Sequence, residues 1–129
     1  MYDIVNSHEG LGACYDICKD SVVGKRLTMS KESFIERLSD CDVLTVKKGD
    51  DVAGCFFYQN GPYLHGAMKP SERGIGGFRV WPAVVNYGKE KYGQVILMIH
   101  KDNAYTHNLV KRMAFSYKGL ANDHHWWVL

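Results

Sequence analysis

Absences narrow the function of this 129-residue chain before any motif does. It lacks an excess of charge of one sign. Sixteen basic residues stand against fourteen acidic ones, a formal net charge of +2, so its electrostatics carry no nucleic-acid or membrane footprint. It also lacks long apolar runs. The longest, Val95 to Ile99, is far short of the roughly 20 residues that span a bilayer. The opening MYDIVNSHEG has neither the basic start nor the apolar stretch of a secretory signal, and a cytoplasmic location is the expectation. Cys14, Cys18, Cys41 and Cys55 form no C-x-x-C pair, so the spacing of a zinc site is missing. Buried, reduced thiols are expected instead. His124 and His125 are adjacent, and neighbours in a strand point to opposite faces. They do not converge on one ion, and no metal is expected.

What remains is an ordinary globular composition, 46% hydrophobic and 23% charged, expected to make one domain over residues 1–129 with a core of its own. No repeat or linker interrupts it. YDIVNS reads as a first strand. Leu11, Cys14, Tyr15 and Cys18 then follow at helical spacing, with Gly24 as a stop. Ser30 is a candidate N-cap for a second helix, with Glu32 in its first turn and Phe34, Ile35 and Leu38 on its buried face. DVLTV and VAGCFFY flank KKGDD as a hairpin. NGP marks a turn and YLHGAM a further strand. QVILMIH reads as a strand covered on both faces. Asp102 or Asn103 caps a helix whose buried stripe is Thr106, Leu109, Val110 and Met113. AFSYKGL and HHWWVL close the chain as two strands around AND. The resulting order is β-α-α-β-β-β-α-β-α-β-β, a mixed α/β (α+β) architecture with strand–helix crossovers.

Between YLHGAM and the central helix lies MKPSERGIGGF, with three glycines in four residues. Such a cluster lets backbone approach something closely. It suits an anion held by the unpaired amides and positive dipole end of a helix, with a tight strand-to-helix turn with no ligand as the alternative. A Rossmann site fails, because the loop does not follow the first strand. Residues 78–92 carry helical spacing through Val80, Val84 and Tyr87. Pro82 either kinks this helix or sits near its first turn, the helix starting late.

The segment 63–115 resembles the core of the GCN5-related N-acetyltransferase (GNAT) superfamily. Pro70, Arg73, Gly74 and Gly76 match its Pro-x-x-Arg-Gly-x-Gly-type loop. KEKYG ends the helix at the family's distance, and VILMIHKDN matches the apolar strand leading into an Asn-started helix. From Asn103 to MAF the interval equals the family's Asn to Leu-Gly-Phe spacing, with Ala114 at the glycine. The resemblance implies a GNAT-like fold: a twisted mixed sheet with helices on both faces, in a compact, divergent member of the kind found in phage genomes. It also implies transfer of an acetyl group from acetyl-CoA to an amine by direct attack. Arg73, Gly74, Ile75, Gly76 and Gly77 would hold the pyrophosphate, and Asn103 the pantetheine arm. A backbone amide among Ala67, Met68 and Lys69 would polarise the thioester carbonyl.

Three residues depart from that pattern. Phe78 replaces a small residue and would narrow the phosphate cradle. Pro82 would deform the anion-binding helix. Val110 stands where many members carry a tyrosine acid for the departing thiolate. Such an acid contributes roughly two to four powers of ten, and a thiolate leaves without it. His65 is the candidate general base because imidazole titrates near neutrality, with a hydrogen-bonded core histidine as the alternative. Tyr63, Tyr117 and Glu32 are further polar candidates. Lys111 and Arg112 read as a solvated helix face. Two functions stay open: an N-acetyltransferase, and a GNAT-fold binding or assembly protein that has lost catalysis. The acceptor has no signature. The WW pair sends one tryptophan outward on the last strand, which a homodimer continuing the sheet through that C-terminal strand would cover.

Overall fold

A computed structural model describes residues 1–19 and 28–129; the helix stop expected at Gly24 lies outside the described residues. The chain runs β1 (Asp3–Asn6), α1 (Leu11–Lys19), α2 (Lys31–Arg37), β2 (Asp42–Lys48), β3 (Asp51–Gln59), β4 (Tyr63–Met68), a 3-10 turn (Pro70–Glu72), α3 (Ile75–Tyr92), β5 (Ile96–His100), α4 (Ala104–Lys111), β6 (Ser116–Ala121) and β7 (His124–Val128). This is the order expected from the periodicity. The strands form one seven-stranded sheet, β1-β2-β3-β4-β5-β7-β6. All neighbours are antiparallel except β4 and β5.

Two cores lie on opposite faces of the sheet. Leu11, Cys14 and Tyr15 of α1 and Phe34 of α2 pack on Val43, Cys55 and Phe57. Val80, Trp81, Val84 and Val85 of α3 and Leu109 and Val110 of α4 pack on Leu44, Phe56, Tyr58, Leu97 and Ile99. Strand alternation explains the division, since Phe56 and Tyr58 point one way and Phe57 the other. Tyr58 ties α3 down with a hydroxyl that donates to the Val84 carbonyl at 2.6 Å, and Gly88 lets its ring lie against the helix backbone. Ser30 caps α2, its Oγ accepting from the Ser33 amide.

Four expectations are corrected. Ile35 is exposed rather than buried, whereas Phe34 and the C-cap residue Leu38 are seated in the core. α3 begins at Ile75, so Pro82 lies inside it and the late-start reading fails. The ring is on the exposed side while Trp81 and Val84 hold the helix to the sheet. A proline at an inner helix position costs about 3 kcal/mol, and that burial offsets it. β5 is not covered on both faces: Leu97 and Ile99 are buried under α3 and α4, whereas Ile96 and Met98 are half-buried opposite. Finally, β7 is paired on both sides, by β5 and β6. A dimer extending the sheet through the C-terminal strand has no edge there, and the free edge at that end of the sheet is β6. No disulfide joins the four cysteines; Cys14 and Cys55 are buried and Cys18 and Cys41 half-buried.

Candidate functional site

β4 and β5 are hydrogen-bonded at their start only. Tyr63 pairs with Ile96, and the Ile96 amide donates to the Pro62 carbonyl at 2.9 Å. Beyond that point no further pair joins them, so their C-terminal ends splay into a cleft. The Lys69 amide donates to Ala53 of β3 at 2.8 Å. By the alternation of an antiparallel ladder, residues 67 and 69 turn their amides toward β3. Gly66 and Met68 therefore turn theirs toward the cleft. Of the three residues expected to supply a carbonyl-polarising amide, Met68 is the one so directed. Gly66 is required in its place. Its φ is +144°, and a Cβ would strike the Cys55 carbonyl and Phe56.

The glycine loop stands at the wide end of this cleft, where α3 starts. Gly74 is the N-cap residue, at φ 78°, and no side chain caps the helix, leaving the first-turn amides of Ile75, Gly76 and Gly77 without intrahelical partners. Open space lies where a Gly74 Cβ would go. Gly76 serves a different need: its Cβ would come within 2.5 Å of the Tyr2 hydroxyl. That hydroxyl donates to Glu72, which also pairs with Lys48 at 3.2 Å. Gly74 is thus required by its conformation at the helix start, and Gly76 by close packing on Tyr2 just ahead of β1. Arg73 is exposed, and its Nε donates to the Met68 carbonyl at 3.4 Å.

Phe78 does not enter the cradle. It is 40% exposed and faces Arg112, whose guanidinium carbon lies 4.9 Å from the ring centroid. The pair borders a small groove of about 150 Å³ between α3 and α4. Arg112, read from sequence as a solvated helix face, thus sits across from the first turn of α3, and only the tertiary fold reveals it. Asn103 caps α4, its Oδ1 accepting from the Thr106 amide at 3.2 Å. Val110 is fully buried, so packing occupies the position of the tyrosine acid.

His65 stacks on Phe57, with ring centroids 5.3 Å apart, and so lies on the α1–α2 face of the sheet. Burial, reinforced by His124, pushes its pKa below the ordinary imidazole value. The other polar candidates are dispersed. Tyr63 stands at the closed end of the cleft. Tyr117 bonds His125 at 2.7 Å on the far hairpin, and Glu32 is exposed on α2. The histidine pair divides as expected: His124 meets His100 at 5.4 Å and His125 meets His107 at 4.6 Å. No group of three metal-ligating side chains occurs among the described residues. No described helix is long and apolar enough to cross a membrane.

No protein-family model matches the sequence, and a search of curated proteins finds no match. Solved structures do match. An N-acetyltransferase from Staphylococcus aureus superposes with a TM-score of 0.76 at 15% identity, over 100% of this chain and 98% of that one. A Bacillus subtilis acetyltransferase in complex with CoA gives 0.75 at 15% identity, over 100% and 98%. A ribosomal-protein-alanine N-acetyltransferase from Brucella melitensis gives 0.74 at 16% identity, over 99% and 96%. The chain has the GNAT fold.

Proposed function

We propose that the protein is an acetyl-CoA-dependent N-acetyltransferase that acts on a primary amine. The observation that carries this reading is the splay of β4 from β5 beside an uncapped helix N-terminus. The cleft-facing amides of Gly66 and Met68 have no ladder partner on β5, and the pantetheine arm is a chain with two amides of its own. The helix start offers amide donors and a positive dipole end to a pyrophosphate. Acetyl-CoA supplies an acyl thioester. In this chain the amides of residues 75–77, with Arg73, would hold the pyrophosphate. The Phe78–Arg112 groove lies beside them for the rest of the nucleotide. The Asn103 amide nitrogen is left for the pantetheine arm, because capping uses the oxygen. Met68 would donate its backbone amide to the carbonyl oxygen as charge grows there.

The acceptor would approach from the α1–α2 face, where His65 lies. A depressed pKa keeps His65 neutral and able to take the amine's proton at pH 7. With Val110 in place of an acid, positioning carries more of the acceleration. Cysteines without a disulfide suit a cytoplasmic setting.

His65→Gln is expected to lower kcat by about 10²–10⁴-fold without weakening acetyl-CoA. Because the His65 pKa is lowered, its neutral form persists on acidification. The acid limb of the native pH–rate profile should therefore fall below the ordinary imidazole value of about 6.5, and it should be missing in His65→Gln. A profile unchanged by the substitution would remove His65 from the chemistry. The second reading, a binding protein without turnover, is favoured by Val110 alone. It would appear as acetyl-CoA binding with no CoA released against any amine in a broad screen.

A further inference from the structure

On the side of α4 away from the α3 groove, a second and larger groove of about 520 Å³ runs between α4 and the β6–β7 hairpin. Its volume is within the usual range for small-molecule sites. Its aromatic floor and wall come from β6 and β7: Tyr117 and Trp127 lie 4.9 Å apart, and His125 is set against His107 of α4. Lys101 and Lys111 border it before and at the end of α4, and no carboxylate lines it. Lys101 shares its charge with Asp123 at 3.6 Å, whereas Lys111 makes no ion pair among the described residues. Two nitrogens of the lining, Trp127 Nε1 and His107 Nε2, are buried and lack a hydrogen-bond partner. Buried polar groups are normally paired, so this floor carries polar groups that its own fold leaves unused.

We infer that this groove binds a small planar aromatic anion. The ring would lie on Tyr117 and Trp127, where stacking does not depend on the identity of the ring. Its charge would sit by Lys111. From Ala104 to Lys111 the helix rises about 10 Å, which accommodates one ring system with its anionic arm. Nucleotides and aromatic carboxylates share this chemistry. The site is separate from the cleft between β4 and β5, and the inference does not depend on the acetyltransferase reading.

The test follows the indole N–H signal of Trp127, assigned by its loss in Trp127→Phe, in protein saturated with CoA so that the nucleotide groove is occupied. Indole-3-acetate and 5′-AMP are titrated separately, with neutral 3-methylindole as the uncharged control. The expected result is a saturable shift of the Trp127 signal below 1 mM (roughly, as for a weak small-molecule site) with at least one anion, and at least tenfold weaker binding of 3-methylindole. Lys111→Glu should weaken the anion at least tenfold while the folded spectrum is retained. The arm that responds separates a nucleotide from a carboxylate source. No shift with either anion at 10 mM (on the order of the weakest meaningful affinity), or equal shifts with the neutral ring, would overturn the inference. If the protein takes up no CoA, the acetyltransferase reading fails and the same titration without CoA still decides the groove.

Discussion

Calorimetric titration of acetyl-CoA into the native protein is expected to give a Kd within the usual 1 μM to 1 mM range of enzyme substrates, roughly stated. In Arg73→Glu/Arg112→Glu it should weaken by about 100-fold or more. The argument is electrostatic. The described cradle holds backbone amides and two exposed guanidinium groups, one at the loop and one across α3 beside Phe78. A hydrogen bond to a charged group contributes about 1.5–3 kcal/mol, and each 1.4 kcal/mol is about tenfold in Kd. Two lost contacts thus give at least two powers of ten, before the repulsion from the new carboxylates is counted. Neither arginine belongs to either core, so the melting temperature should hardly move. Undiminished binding by the double variant would place the phosphates elsewhere and dissolve the proposed cofactor site. Phe78→Ala should leave the affinity within about threefold, since the ring lies outside the cradle and an exposed stacking contact contributes only about 0.5–1 kcal/mol.

The second large effect is one of stability, and its sign is opposite to what helix propensity suggests. Gly88 lies within α3, where replacing glycine by alanine ordinarily stabilises by about 1 kcal/mol. Here the added methyl would fall on the Tyr58 hydroxyl and two adjacent ring carbons. Tyr58 is 2% exposed and anchored through its hydroxyl to Val84, so it has little room to retreat. Overpacking of this kind costs roughly 1–3 kcal/mol. Gly88→Ala is therefore expected to destabilise the protein by about 2 kcal/mol. In a Tyr58→Leu background the same change should become neutral or favourable. Thermal unfolding of the four proteins forms a double-mutant cycle, and equal shifts in both backgrounds would show that Gly88 and Tyr58 are not coupled.

That pairing illustrates what the sequence could and could not reveal. Local signals carried the order of elements: alternation in DVLTV, the Ser30 cap, the cap at Asp102 or Asn103, and the AND turn between the last strands, where Asn122 and Asp123 take positive φ. Those features are decided by neighbours in the chain. Whatever depends on distant partners was hidden. Nothing in HHWWVL announces that β7 inserts between β5 and β6. Nothing in residues 80–90 shows that Gly88 faces an aromatic ring thirty positions earlier. Pro82 misled because its penalty is local while the burial that offsets it is tertiary. The glycine loop was legible as a site for close approach. The cleft beside it was not, because strand splay leaves no mark on either strand. His65 was nominated by its proximity to neutrality, and the sheet then placed it on the α1–α2 face. Arg112 carried no signal until α3 and α4 were seen side by side.

The contact of Tyr2 with Gly76 and Glu72 joins the first residues of the chain to the glycine loop. β1 is an edge strand, paired only with β2, and an edge strand ordinarily frays by itself. Here its side-chain latch makes the loop and the strand one mechanical unit. Opening the edge would loosen the start of α3, and filling the loop would hold the edge shut. Amide deuteration of residues 3–6 should therefore slow when acetyl-CoA is added, although no part of the ligand would touch them, and Tyr2→Phe should uncouple the two.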